Sequence, residues 1–130
     1  MGAGDPLELL EAISRGVDIF DSRFPTQNAR RGAIFTSKGR INLKAAKYKE
    51  DKNPIDKNCE CFVCKDYSRA YLRHLLLQEE GAGLRLASYH NLHYLQRLIE
   101  SAKGAIKEGK FKSFLEDFKK AQDLSCAIKI

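Results

Sequence analysis

Three cysteines fall within six residues in the stretch Asn-Cys-Glu-Cys-Phe-Val-Cys, as Cys59, Cys61 and Cys64. The C-x-C-x₂-C spacing lets three thiolates converge on one ion at Zn–S distances of about 2.3 Å, and it leaves a tetrahedral site one ligand short. Cys59 and Cys61 flank a glutamate in a polar loop, so a metal knot is expected in place of three thiols buried in a core. Four side chains are candidates for the missing ligand: His74, His90, His93 and Cys126. Spacing alone leaves the choice open. His90 and His93 lie three apart near a helix start, His74 follows Cys64 by ten residues on another predicted helix, and Cys126 sits in the tail. A site closed by four protein ligands keeps no position for a reacting water, so the expected metal is a structural Zn²⁺, one per chain.

The setting is consistent with reduced thiols. At 130 residues the chain has the length of about one domain. No apolar run approaches the ~18 residues of a membrane span. The first ten residues, MGAGDPLELL, carry acid where a signal peptide would carry base. A cytoplasmic location is therefore expected, where clustered cysteines favour metal over disulfides. Charge is spread unevenly. Residues 1–22 hold five acids and one base, whereas residues 23–52 hold nine bases and two acids, a local net of +7. So long a run with little compensating acid points to a phosphate-binding surface.

Hydrophobic spacing outlines the elements. Asp5 and Pro6 open a predicted helix over 6–15, and Gly16 stops it. Val-Asp-Ile-Phe, 17–20, reads as a short buried strand. The pattern 33–43 predicts two strands about a Lys-Gly turn, and Ala46–Tyr48 a third strand. Ala70, Tyr71, Leu75 and Leu76 share a helical face that Glu-Glu-Gly-Ala-Gly, 79–83, should end. Leu92, Leu95, Leu98, Ile99, Ala102 and Ile106 form a second stripe, and Phe111, Phe114, Leu115 and Phe118 a third. The tail Leu-Ser-Cys-Ala-Ile-Lys-Ile reads as a loose end or an edge strand. Asp21 closes the 17–20 strand just before an arginine-rich loop, the place where β/α-barrel enzymes carry catalytic groups, although a turn aspartate would look the same.

Taken in order, Gly-Val-Asp-Ile-Phe-Asp-Ser-Arg-Phe-Pro-Thr-Gln-Asn-Ala-Arg-Arg-Gly (16–32), the cysteine-bearing stretch 47–75 and Tyr-His-Asn-Leu-His-Tyr-Leu-Gln-Arg-Leu-Ile (89–99) resemble the carboxy-terminal part of tRNA-guanine transglycosylases. These enzymes exchange a guanine in the tRNA anticodon for a 7-deazaguanine base. The resemblance covers the chain to about residue 120.

It implies an α/β fold class: the carboxy-terminal end of a β/α (TIM) barrel carrying a zinc-binding subdomain of a short antiparallel hairpin plus helices. Residues 1–32 would be the last barrel αβ unit and catalytic loop, 33–100 the zinc subdomain, and 101–130 a helical segment and tail. It implies Asp21 as nucleophile, Met1 and Gly2 at the edge of the base pocket, and Gln27, Arg30 and Arg31 as contacts to the anticodon loop. It selects His90 as the partner of Cys59, Cys61 and Cys64, and it places Tyr67, Tyr71 and His74 on a helix at a homodimer interface. Gln27 stands where the family usually has arginine, and Ser22 where it more often has cysteine. A full barrel takes about 250 residues, so most of the base pocket and a second carboxylate would lie in a part not represented here. Poor solubility or self-association through the uncovered face of 6–20 is expected. The alternative reading is a non-catalytic zinc-containing module that binds tRNA or dimerises.

Overall fold

The computed structural model describes the backbone of residues 1–128 and the side chains of residues 1–123. Helix α1 spans Pro6–Ser14. Asp5 Oδ1 accepts the Leu7 N–H at 3.1 Å, and Pro6 occupies a first-turn position that needs no donor. Leu9 and Leu10 turn inward. The strand expected at 17–20 does not form: the segment is irregular, with Ile19 88% and Val17 41% exposed. An extended segment becomes a strand only when a neighbour takes up its N–H and C=O groups. Among the described residues the only sheet is a two-stranded hairpin elsewhere in the chain.

Helix α2, Phe24–Arg30, follows directly, with Ser22 Oγ accepting the Phe24 N–H. Strands β1 (Ala33–Thr36) and β2 (Gly39–Asn42) then pair antiparallel, Ala33 opposite Asn42 and Thr36 opposite Gly39. The loop residues are Ser37 and Lys38, one position earlier than the expected Lys-Gly turn. Gly39 opens β2 at a φ of 109°, a value glycine tolerates and side chains resist. Ala46–Tyr48 is a 3₁₀ turn and not a third strand. The Arg73 guanidinium Nε donates to the carbonyls of Lys44 (3.2 Å) and Ala45 (2.9 Å), tying this turn to a helix instead of a sheet edge.

The remainder is helical: α3 (Phe62–Asp66), α4 (Arg69–Leu77), α5 (Gly81–Lys107) and α6 (Phe111–Ile128). The glycines at 81 and 83 lie inside the first turn of α5, so the break is shorter than expected and the 27-residue helix begins well before Leu92. Gly83 is where α4 crosses α5: a Cβ there would sit 2.6 Å from Leu75 Cβ. The tail expected as a loose end or edge strand continues α6 to Ile128. Its side chains, Cys126 included, lie outside the described residues. No helix among the described residues is long and apolar enough to cross a membrane.

Two apolar clusters form along α5. Ile34, Leu43, Ile55, Val63, Leu72 and Leu76 gather at its first half. Leu10, Leu98 and Ala102, with Phe111, Phe114 and Leu115 against them, gather at its second. A polar pin supports the first. The Arg69 guanidinium donates to Asp51 Oδ2 at 3.1 Å and to the Ile55 carbonyl at 2.8 Å while lying 5.2 Å above the Tyr48 ring. Burial opposes charge on Asp51, but the N–H groups of Asn53 and the Arg69 guanidinium outweigh it and hold the carboxyl below its usual 3.8. A depressed folded-state pKa contributes stability above pH 3.8 that is lost as pH falls through the lower folded value. Urea midpoints measured from pH 2 to pH 6 should therefore show a shallower acid limb in Asp51→Asn than in the parent chain; identical limbs would leave the pin without an energetic role.

Candidate metal centre

The three cysteines reach one point from two short pieces of chain. Cys59 and Cys61 end the loop before α3. Cys61 caps that helix, its Sγ accepting the Cys64 N–H at 3.4 Å, and Cys64 sits one turn on. His90 arrives from the buried face of α5. Its Nδ1 lies 3.9 Å from Cys59 Sγ, 3.5 Å from Cys61 Sγ and 3.3 Å from Cys64 Sγ. The four ligand atoms all fall within 4.8 Å of one another. For a tetrahedral ion with Zn–S near 2.3 Å and Zn–N near 2.0 Å, ligand atoms should be separated by roughly 3.5–3.8 Å. The donor set therefore fits a metal ion in both chemistry and spacing. Cys61 and Cys64 are only 2% and 7% exposed. The loop itself stays polar, with Lys57, Asn58 and Glu60 exposed and Cys59 half-buried, while Cys61 and Cys64 turn in.

Of the candidate fourth ligands among the described residues, only His90 joins all three sulfurs. His74 is exposed on α4, and His93 approaches Cys59 alone. Orientation explains the selection. His90 Nε2–H donates to the Phe35 carbonyl at 2.8 Å, which orients the ring and turns Nδ1 toward the sulfurs.

The electrostatics are those of a proton-exchanging ligand set. Burial disfavours charge on His90, yet hydrogen bonding to the sulfurs of Cys59, Cys61 and Cys64 and to the Phe35 carbonyl pushes the imidazole up to about 12. Burial also opposes ionisation of Cys61, but contacts with His90 and the Cys64 amide bring it down to about 6. At Cys64 burial prevails over His90, and the thiol is raised. A divalent cation entering this cluster displaces protons, so its uptake is favoured at higher pH.

Two residues that spacing did not single out build the frame. Asp56, 7% exposed, accepts the Ser37 N–H at 2.6 Å, the Ser37 hydroxyl at 3.0 Å and the Asn58 N–H at 3.0 Å, pinning the cysteine loop to the hairpin turn. The Asp-Lys-Asn sequence was a legible Asx-turn signal. Asn91 is fully buried. Its Oδ1 accepts the Phe35 N–H at 3.0 Å, and its Nδ2 donates to the carbonyls of Pro25 (2.9 Å) and Ala33 (3.1 Å). Nothing in its local sequence distinguishes it, because its partners are 56 to 66 residues away.

The family model described as Queuine tRNA-ribosyltransferase matches residues 1–123. The chain belongs to that family. It is 51% identical over 118 residues to the Queuine tRNA-ribosyltransferase of Fusobacterium nucleatum, covering 91% of this chain and 32% of that protein. It is 51% identical to the protein of that name from Lysinibacillus sphaericus and 49% to that from Bacillus subtilis, each over 91% of this chain and 31% of the relative. The chain thus spans about a third of the length of these relatives.

Several residues singled out through the family resemblance are close in space. The Gly2 N–H donates to the Asp21 carbonyl at 2.7 Å, and the Ser22 hydroxyl donates to the Gly2 carbonyl at 3.3 Å, so Met1–Gly2 run alongside Asp21. The Asp21 side chain is exposed. Gln27 and Arg30 lie three apart on α2, and Arg31 follows at its end. The metal cluster reaches this segment through Asn91 and Pro25. On α4, Tyr71 is 48% exposed, its ring stacked on Tyr67 at 5.7 Å, and His74 is exposed one turn further on.

Asn91→Ala removes one acceptor and two donor bonds from buried backbone groups and should cost about 3 kcal/mol in urea unfolding, allowing for partial relaxation. A loss below about 1 kcal/mol would mean that other contacts hold the hairpin and α2 to α5.

Proposed function

We propose that this chain is the carboxy-terminal part of a tRNA-guanine transglycosylase, acting in queuosine-type modification. In that reaction the wobble-position guanine of tRNA is exchanged for a 7-deazaguanine base. The observation that carries the reading is the family match over residues 1–123, joined to a closed Cys₃His cluster whose α5 neighbour Asn91 reaches the Asp21–Arg31 segment.

In the proposed mechanism the Asp21 carboxylate attacks the ribose anomeric carbon. The bond to guanine breaks, and its electron pair leaves with the base, which takes up a proton. The resulting aspartyl-ribosyl ester is attacked by the incoming deazaguanine nitrogen, which loses its proton, and the carboxylate is freed. Two displacements at one carbon retain configuration, as in retaining glycosidases. Exposure of Asp21 keeps it accessible to such a substrate. Arg30 and Arg31, with Gln27 on the same short helix, would hold the anticodon loop through its phosphates, within the basic run 23–52. Met1 and Gly2, hydrogen-bonded beside Asp21, would border the base pocket.

Cys59, Cys61, Cys64 and His90 would hold the ion, which we read as zinc. With all four positions filled by protein ligands, bound zinc would supply cohesion to the subdomain. Residues 1–32 would form the last barrel unit and catalytic loop, 33–100 the zinc subdomain and 101–130 the closing helical segment. Exposure of Val17 and Ile19, beside a cleft of about 390 Å³ lined by Leu9, Ile13, Phe20 and Leu92, supports the reading that further barrel strands cover this face. The exposed Tyr71 and His74, with Tyr67 stacked on the former, would contribute to a homodimer. The site of action would be cytoplasmic, where charged tRNA is handled.

The test uses tRNA carrying labelled guanine at the wobble position, with the chain alone and together with the first two thirds of the Bacillus subtilis relative. Label release and a covalent tRNA adduct are expected in the combined sample, with both falling by at least ~10³-fold in Asp21→Ala. Release that persists in Asp21→Ala would remove Asp21 from its role. tRNA binding with no exchange in any combination would favour a non-catalytic module.

A further inference from the structure

His93 is the one histidine near the metal cluster that the four-ligand set leaves out. It sits one turn beyond His90 on α5, half-buried, with Nδ1 3.7 Å from Cys59 Sγ. Its ring does not approach the cluster freely. It stacks on Tyr89 at 6.3 Å and 24°, and Tyr89 packs on Phe62 at 4.6 Å. Phe62 lies between Cys61 and Cys64 on α3. A run of aromatic contacts therefore leaves the cysteine segment, crosses two successive turns of α5 and returns to Cys59.

Cys59 needs such a contact more than its fellows do. It is the half-exposed cysteine of the three, and it borders an open cavity of about 250 Å³ shared with Glu60, His93 and Arg97. Three thiolates and a neutral imidazole around a divalent cation carry a net charge of −1, so N–H donors to sulfur stabilise the cluster. Cys61 receives the Cys64 amide at 3.4 Å. Cys59 Sγ lies against two imidazoles, those of His90 and His93. An imidazole ligating through Nδ1 has no proton on that atom to give, which leaves His93 as the donor to Cys59 among the described residues.

We infer that His93 is a positioning residue of the metal centre: its Nδ1–H donates to the Cys59 thiolate, and Tyr89, stacked on the ring and packed in turn on Phe62, holds it at the angle that bond requires. This inference rests on the zinc reading above. It gives Cys59, the sulfur most open to solvent, a hydrogen bond that slows its departure from the ion.

The experiment loads the full 130-residue chain with Zn²⁺ and times release to an excess of chromogenic chelator, for the parent, His93→Phe and His93→Asn. Phenylalanine keeps a ring for the stack and removes the donor. Asparagine returns an N–H near the position of Nδ1. His93→Phe should release zinc about 10-fold faster, and His93→Asn should recover most of the difference. In Co²⁺-loaded protein the thiolate-to-metal charge-transfer band should move to lower energy in His93→Phe alone, a change that general loosening of α5 would not produce. Equal release rates with one ion bound would overturn the inference and leave the zinc reading intact. A Co²⁺ spectrum showing a lost nitrogen ligand in His93→Phe would overturn it in favour of direct ligation. A parent chain that takes up no ion would overturn both.

Discussion

Two consecutive residues on α5 hold the first half of the molecule together. His90 faces the three sulfurs with Nδ1 and donates from Nε2 to the Phe35 carbonyl, while Asn91 takes the Phe35 N–H and gives both amide protons to Pro25 and Ala33. Both polar groups of Phe35 are therefore satisfied by adjacent side chains of one helix turn. In a fully buried setting each of these groups would otherwise carry a desolvation cost. The hairpin is too short to be stable alone. It persists because α5 supplies the partners on one side and the apolar cluster of Ile34, Leu43 and Val63 the other.

The same pair couples what would otherwise be separate regions. Metal ligation would fix the rotation of α5 at His90, and the neighbouring Asn91 would then fix where Pro25 lies, at the start of the helix carrying Gln27 and Arg30. A structural ion would in this way order the segment proposed to grip tRNA. The second apolar cluster, at the other end of α5, anchors α1 to α6, with Lys119 and Glu11 paired at 2.9 Å across them. Between these anchored parts residues 17–22 run irregularly and expose apolar side chains.

Local chemistry was well represented in the sequence. The cysteine triplet, the Asp5–Pro6 helix start and the hairpin all depend on neighbours within a few residues, and the stripes of α4 and α5 marked helices, although Tyr71, Leu92 and Ile106 face outward instead of into the core. Misreadings came where a distant partner decides. Val17–Phe20 has strand composition but no strand to pair with among the described residues. Ala46–Tyr48 has it too, yet Arg73 draws the adjoining carbonyls to α4. The glycines near 81–83 looked like a helix stop, whereas Gly83 serves the close crossing of α4 over α5. The polar loop around Cys59 and Cys61 argued against core burial, yet Cys61 is buried, because burial depends on which way each side of a loop turns and not on its average composition.

By itself the sequence determined that three thiolates would converge, since C-x-C-x₂-C admits little else in so short a span, and its longer pattern carried the family resemblance. Among His74, His90, His93 and Cys126 spacing could not choose, for a ligand's distance along the chain says nothing about its direction. Tertiary structure singled out His90: α5 packs with that position facing the cysteine loop, its Nε2 held by Phe35, while His93 meets only Cys59 and His74 faces solvent. It also decided the role of Asn91, whose three partners are brought to it solely by the packing of α5 against the hairpin and α2.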